Sequence, residues 1–240
     1  MIINMWSGPR NLSTALMRSF ENRSDTEVWD EPLYAYYLKE TKINHPMSKE
    51  IIKTYNTDIN ELITKMTKKN NNKIFYLKQM THHLIDNTPI EWIKNCKNCL
   101  LIRDPKKVIL SYIKNNELKN SNDIGYHSQY KIFKYLQKIN SKIIVINSDD
   151  LINDTKKTLI LLCKSLNIEY NDNMIKWPTG SRSSDGIWGQ VWYKNLLKSS
   201  SFQKEEYNNS LITLPSKYNS IYEECKKIYE KLDFYNLKKY

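Results

Sequence analysis

Residues 2–6 are a short apolar run that ends directly in Ser7-Gly8-Pro9-Arg10-Asn11-Leu12-Ser13-Thr14, after which a helical pattern begins. Strand, glycine-bearing loop and helix in immediate succession make an anion site. Loop and helix-terminal N–H groups point at the ligand, and the helix dipole favours negative charge. Ser13 and Thr14 add hydroxyl donors, and Arg10 adds a permanent cation whose planar fork suits phosphate or sulfate oxygens. The plainer alternative is an ordinary helix start with Ser13 as its cap.

The rest of the chain repeats this alternation. Further short apolar runs at 27–29, 74–77, 99–102 and 142–146 read as strands. Helical stretches are expected at 14–21, 49–68, 105–118, 129–139, 154–166 and 218–232, with polar breaks at 68–73 and 115–123. The expected fold is α/β: three layers, α/β/α, around a central parallel sheet of about five strands, with residues 1–240 as a single domain. Ligands of such sheets bind beyond the carboxyl ends of the strands.

The loop is compared first with that of the P-loop nucleotide triphosphatases. Aligning Gly8 with the first glycine of G-x-x-x-x-G-K-[ST] puts Ser13, Thr14 and Ala15 in the Gly, Lys and Ser/Thr slots. The phosphate-binding lysine and the magnesium-binding hydroxyl are both missing. A P-loop kinase-like phosphotransferase is therefore the alternative, not the preferred reading.

A second candidate anion site follows the fourth strand. Arg103-Asp104-Pro105 opens a helix with proline in its first turn, and Ser111 stands eight residues after Arg103. A cation at the strand end and a hydroxyl two turns on converge on one anion. Two such sites about a hundred residues apart fit a ligand with two anionic ends.

These motifs together resemble the sulfotransferases. Residues 9–18, Pro-Arg-Asn-Leu-Ser-Thr-Ala-Leu-Met-Arg, are similar to their 5′-phosphosulfate loop, in the Pro-Arg-Ser-Gly-Thr-Thr form of tyrosylprotein and bacterial enzymes. Asn11-Leu12 stands where Ser-Gly is usual. Arg103 with Ser111 resembles the 3′-phosphate segment, with Asp104 for the usual Asn. Residues 145–151 resemble a structural strand–helix segment of the family. The string 7–14 followed by Trp29-Asp30-Glu31-Pro32-Leu33-Tyr34 looks like a bacterial sulfotransferase-like group.

The resemblance implies a P-loop NTPase-like fold and 3′-phosphoadenosine-5′-phosphosulfate (PAPS) as donor, with 3′-phosphoadenosine 5′-phosphate (PAP) as product. It also implies a small-molecule acceptor and no metal. Gly8, Pro9, Arg10, Asn11, Leu12, Ser13 and Thr14 would hold the phosphosulfate. Arg103, Ser111 and Lys194 would hold the 3′-phosphate, with Lys198, Ser199 and Ser200 near. In-line transfer needs cations on the equatorial oxygens and a base for the acceptor. Glu31 is the first candidate base, 21 residues after Arg10 as in the tyrosylprotein enzymes. His82 and His83 are the rivals, since cytosolic sulfotransferases carry a Lys-Thr-His at the corresponding strand end. Lys78 is expected to act as a cation on the transferring or bridging oxygen. Residues 185–194, Asp-Gly-Ile-Trp-Gly-Gln-Val-Trp-Tyr-Lys, read either as a lid or as core packing of Trp188 and Trp192.

Composition narrows the partners. The formal net charge is +11, spread along the chain with no basic tail. No nucleic-acid motif is recognisable, so a nucleic-acid module is not favoured. Cys96, Cys99, Cys163 and Cys225 read as free thiols of a reducing cytoplasm, with no metal site. No apolar run approaches the ~18–20 residues that span a bilayer, and no signal-peptide pattern opens the chain. A cytoplasmic enzyme is expected; a non-catalytic nucleotide-binding relative remains the other alternative.

Overall fold

The computed structural model describes residues 1–68, 73–203 and 213–239. Five strands, β1 (Ile2–Ser7), β2 (Thr26–Asp30), β3 (Ile74–Met80), β4 (Lys97–Ile102) and β5 (Ile143–Asn147), form one parallel sheet in the order β2-β3-β1-β4-β5. Each of the five strand expectations lies inside or within a residue of an observed strand. Their continuous apolar character follows from burial on both faces. Ile2 and Trp6 of β1 face one core, and Ile3 and Met5 face the other.

Helices cover both faces. On one side lie α4 (Ile59–Thr67), α5 (Pro105–Tyr112), α6 (Tyr126–Lys138) and α10 (Asn219–Asp233). On the other lie α1 (Ser13–Glu21) and α8 (Thr155–Leu166), through Leu16, Met17, Phe20, Leu159 and Leu162. Beyond the β2 edge, α2 (Tyr34–Thr41), α3 (Ser48–Thr54) and α9 (Gly189–Trp192) form a third cluster that includes Tyr34, Leu38, Ile51, Trp188 and Tyr193. A short helix α7 (Ser148–Asn153) follows β5.

The chain leaves β1 for a helix on one face and leaves β4 for a helix on the other. The carboxyl edge between these neighbouring strands is the topological switch point, where open α/β sheets place their ligands.

Several expectations need correcting. The stretch 49–68 is two helices. Asn56 and Asp58 break it: Asp58 leaves helical geometry and its carboxylate accepts from the Asn60 and Glu61 amides, starting α4 afresh. The stretch 105–118 stops as a helix at Tyr112. Helix α6 begins at Tyr126, three residues before the expected start, directly after Gly125 in the left-handed conformation. Ser13 is not the cap of α1. Leu12 holds that position with φ 65°, without a side-chain hydrogen bond, and Ser13 is the first helical residue. The polar break 115–123 ends in a 3₁₀ turn, Ser121–Ile124, that runs one residue past it and is capped by Asn120 and Asp123. Of the break at 68–73, residues 69–72 lie outside the described residues.

Candidate active site

The loop after β1 is built by inward-turned carbonyls. Arg103 Nη1 donates to the Arg10 carbonyl at 2.9 Å, and Ser148 Oγ donates to the Asn11 carbonyl at 2.7 Å. The carbonyl of one residue and the N–H of the next share a planar trans peptide and point opposite ways. Holding these carbonyls inward therefore turns the Asn11 and Leu12 N–H groups outward. Arg10 and Leu12 both sit at φ 65°. Side-chain residues reach that region at a cost of about 1–3 kcal/mol each. Leu12 thus takes, under strain, the conformation that a glycine there would adopt freely. Gly8 allows the close approach of the turn at 121–125: a Cβ on it would lie 2.4 Å from the Ile124 carbonyl oxygen.

Helix α1 starts at this loop with no side-chain cap, so its first amides and the positive end of its dipole are open to a ligand. Arg10 is half-buried and its Nε donates to Ser111 Oγ at 2.9 Å. The two candidate anion segments, 101 residues apart in sequence, therefore meet on one side chain. Arg103 is 1% exposed and lies beneath the loop, its own carbonyl accepting from the Tyr126 hydroxyl at 2.6 Å. Pro9 and Thr14 are half-buried, whereas Asn11 and Ser13 are buried. The Asn11 amide nitrogen donates to the Leu101 carbonyl, joining the loop to β4. Lys194 is exposed at the end of α9, and no hydrogen bond or ion pair joins it to the loop among the described residues.

At the carboxyl ends of β2 and β3 lies a second arrangement. Register pairs Asp30 with Lys78, and Lys78 with Met5 of β1. Lys78 Nζ bonds Asp30 Oδ1 at 2.9 Å, Glu31 Oε1 at short range and the Tyr193 hydroxyl at 2.9 Å. The Lys78 and Asp30 side chains are each 1% exposed and that of Glu31 is 11%, so Glu31 is the member an acceptor can reach. Glu31 also has φ 44°, a second point of backbone strain at this edge. Burial raises the proton affinity of Glu31. Lys78 opposes that rise and the Asp30 charge adds to it. Burial alone would lower Lys78, but Asp30 and Glu31 outweigh it and hold the ammonium up to about 12.

The two candidate histidines stand differently. His83 is buried, stacked between Tyr34 and Tyr37 at ring separations of 4.7 Å each. His82 is half-buried and meets Tyr37 edge-on at 5.5 Å. Burial lowers both, His82 to about 3, with the neighbouring histidines and Lys78 adding to the effect. Both imidazoles are thus neutral at physiological pH, and neither Nδ1 has a hydrogen-bond partner among the described residues.

Residues 182–193 close over the Lys78 cluster. Arg18 of α1, 1% exposed, pairs with Asp185 at 2.7 Å and with Glu21 at 3.0 Å. Arg182 also reaches Glu21, at 3.1 Å. Trp188 is core: it is buried against Tyr34 and Tyr55, and its Nε1 donates to Asp30 Oδ2 at 3.1 Å. Gly186 has no room for a Cβ, which would lie 2.1 Å from the Trp188 ring. Trp192 is half-buried beside His45. Asp30 and Tyr193 were not picked out as site residues from the sequence. The signal was there in two acidic residues together at a strand end, but register was needed to aim one at Lys78.

The buried thiols of Cys96 and Cys225 are pushed up to about 11 and about 12 by burial, which makes them poor nucleophiles. No helix among the described residues is long and apolar enough to cross a membrane.

A family model of the sulfotransferase domain matches residues 1–213. Branched-chain-amino-acid aminotransferase-like proteins 2 and 1 of Arabidopsis thaliana are 32% identical over 232 residues and 33% identical over 202. These matches cover 95% and 84% of the chain but only 40% and 36% of those proteins, so the chain spans about two fifths of the length of these curated relatives. The fold is similar to the sulfotransferase domain of a Synechococcus olefin synthase, at 16% identity and TM-score 0.64, covering 95% of this chain and 94% of that one. It is also similar to a mouse sulfotransferase complexed with PAP, at 14% identity and TM-score 0.55, covering 93% and 82%. The chain belongs to the sulfotransferase domain family.

Proposed function

We propose that this chain moves a sulfuryl group from PAPS to a hydroxyl or amine of a small acceptor, with residues 1–240 acting as one domain. The observation that carries the reading is the meeting of Arg10 and Ser111 at 2.9 Å beside the uncapped start of α1. The outward Asn11 and Leu12 amides, the Gly8 cradle and the two cations fit a ligand with anionic groups at both ends. PAPS supplies a sulfuryl group already attached to a good leaving group. Arg10 and the α1 amides bind the phosphosulfate oxygens, and Ser111 binds the 3′-phosphate, with Arg103 supporting the loop from beneath and adding its charge to the site. Glu31 takes the acceptor proton as the acceptor–sulfur bond forms and the sulfur–phosphate oxygen bond breaks. Lys78, with its three N–H groups taken by Asp30, Glu31 and Tyr193, acts through Glu31, holding that carboxylate in place for the acceptor. Glu31 is preferred to the histidines as base because His83 is locked in an aromatic stack and His82 is a weak base. Four buried thiols suit a reducing compartment, which supports a cytoplasmic location.

Thermal melting with PAP, ADP and ATP, each with and without magnesium, tests the reading. PAP at ~100 times its dissociation constant should add about 2.7 kcal/mol of stability without magnesium. A magnesium-dependent shift with ATP and none with PAP would favour the kinase-like alternative.

A further inference from the structure

We propose that Asp30 and Tyr193 are positioning residues for the Glu31–Lys78 pair, holding the ammonium between two carboxylates and tying it to the segment that covers it. The proposal rests on the sulfuryl-transfer reading for its role in a reaction, but its geometry stands apart from the donor.

An ammonium has three N–H donors and no acceptor. The three hydrogen bonds of Lys78 Nζ go to Asp30, Glu31 and Tyr193, which uses the whole set and fixes the group in orientation as well as position. Asp30 is the hub. Its buried carboxylate accepts from Lys78 Nζ, from the Tyr193 hydroxyl at 2.7 Å, from Trp188 Nε1 at 3.1 Å and from the Gly186 amide at 3.3 Å. Tyr193 donates to Asp30 while accepting from Lys78 and from Trp188 Nε1 at 3.3 Å. Strand β2, strand β3 and the covering segment are thereby joined through one carboxylate and one hydroxyl. A buried carboxylate met by this many donors is held in one orientation, and the donors on it are held with it.

The charges have a consequence. Lys78 is one cation between two carboxylates, so a surplus negative charge is confined to Asp30 and Glu31. The groups facing Glu31 are Asp30 from β2, Lys78 from β3 and Tyr193 from the covering segment, with Tyr34 of α2 close enough to feel its charge. His82 and His83 lie within electrostatic reach of Lys78 at the end of β3. Of these, the Asp30 charge works against ionisation of Glu31 and the Lys78 charge favours it, while the Tyr193 hydroxyl, 3.4 Å from Glu31 Oε1, favours it by giving its one proton to Asp30 and offsetting part of that carboxylate's charge. Asp30 therefore orients Lys78 and at the same time makes Glu31 a stronger base. Removing the Asp30 charge and removing the Tyr193 hydroxyl should move Glu31 in opposite directions. A merely structural role for either residue would move neither.

The test is a pH titration of Glu31 by NMR of ¹³C-labelled side-chain carboxylates in the ligand-free protein, with Glu31→Gln assigning the resonance. Asp30→Asn should shift the Glu31 midpoint down and Tyr193→Phe should shift it up. Circular dichroism establishes that each variant is folded. An unmoved midpoint in both folded variants overturns the proposal. If Asp30→Asn does not fold, Tyr193→Phe decides alone: a rise supports the clamp and an unmoved midpoint overturns it. Melting of the wild type with PAP separates the two readings. Midpoints that move as expected in a protein PAP does not stabilise would leave the clamp standing and sink the sulfuryl-transfer role.

Discussion

The loop after β1 and the cluster after β2 and β3 share one edge of the sheet but are finished in opposite ways. In the loop, side chains of Arg103 and Ser148 hold carbonyls inward, and α1 begins without a cap. Donors are left facing out, in a strained backbone with Arg10 and Leu12 both at φ 65°. In the cluster, Lys78 is already met by Asp30, Glu31 and Tyr193, and Trp188 closes over it. An outward set of donors suits an anion, whereas the cluster satisfies its one ammonium internally and keeps a surplus negative charge on Asp30 and Glu31. The difference divides the proposed reaction between the two regions. On the proposed reading, the loop supplies binding energy and the cluster supplies the geometry for proton removal.

Changes in the cluster should therefore alter rate, and changes in the loop should alter affinity. The largest effect is expected at Glu31. Glu31→Gln keeps size and removes basicity, so turnover should fall by roughly 10²–10⁴-fold while PAP binding is nearly unchanged, read by steady-state assay and by calorimetry. Comparable losses of PAP affinity would erase the division between the two regions. The pH profile sharpens the same point. The rate should rise as Glu31 loses its proton, with the acid limb of kcat/KM above the ordinary Glu value of 4.5, because burial and Asp30 raise it. A limb near 3 would instead mark His82 as the base, since burial holds that imidazole at about 3.

Arg18 comes next and concerns the join between the regions. It anchors Asp185 of the covering segment to α1, the helix the loop feeds. Arg18→Ala leaves Asp185 without its cation and Glu21 with Arg182 alone, which should cost about 3–5 kcal/mol of stability in denaturant melts. A loss under about 1 kcal/mol would mean the contacts of Arg182 with Glu21 and of Trp188 with Asp30 hold the segment without Arg18. Ser111→Ala should be milder, weakening PAP by about 0.5–1.5 kcal/mol with less effect on adenosine 5′-phosphosulfate, which lacks the 3′-phosphate. Equal losses for both ligands would show that Ser111 does not read that group. The smallest effect is expected from Leu12→Gly. It relieves a left-handed side-chain residue but frees the unfolded chain, so stability should change by less than about 1 kcal/mol, with PAP binding kept.

The two regions were also unequally legible in sequence. The five strands showed as short apolar runs because both sheet faces are buried, and the loop showed because its chemistry lies in one contiguous stretch, 7–14. Arg103 and Ser111 were legible as a pair by their eight-residue spacing, but their meeting on Arg10 was not, since β1 and β4 had to be neighbours first. Helix α2 went unseen because Tyr34, Ala35, Tyr36 and Leu38 are all buried, leaving little polar face to reveal a helical period. The cap at Leu12 was misassigned to Ser13 because capping preferences favour a hydroxyl, and the left-handed backbone here overrides them. Asp30 and Tyr193 are 163 residues apart and become one unit only through tertiary packing. A local pattern could name Glu31 and Lys78, but not what holds them together.

The measurement that bears most directly on the central claim is calorimetric titration of PAP into the wild type and into Arg10→Ala, both in the presence of EDTA. The account predicts one PAP bound per chain without a divalent cation, and binding weakened at least about tenfold in the variant, as expected for loss of a charged hydrogen-bonding partner. No binding by the wild type in EDTA, or equal affinity in the two proteins, would contradict it.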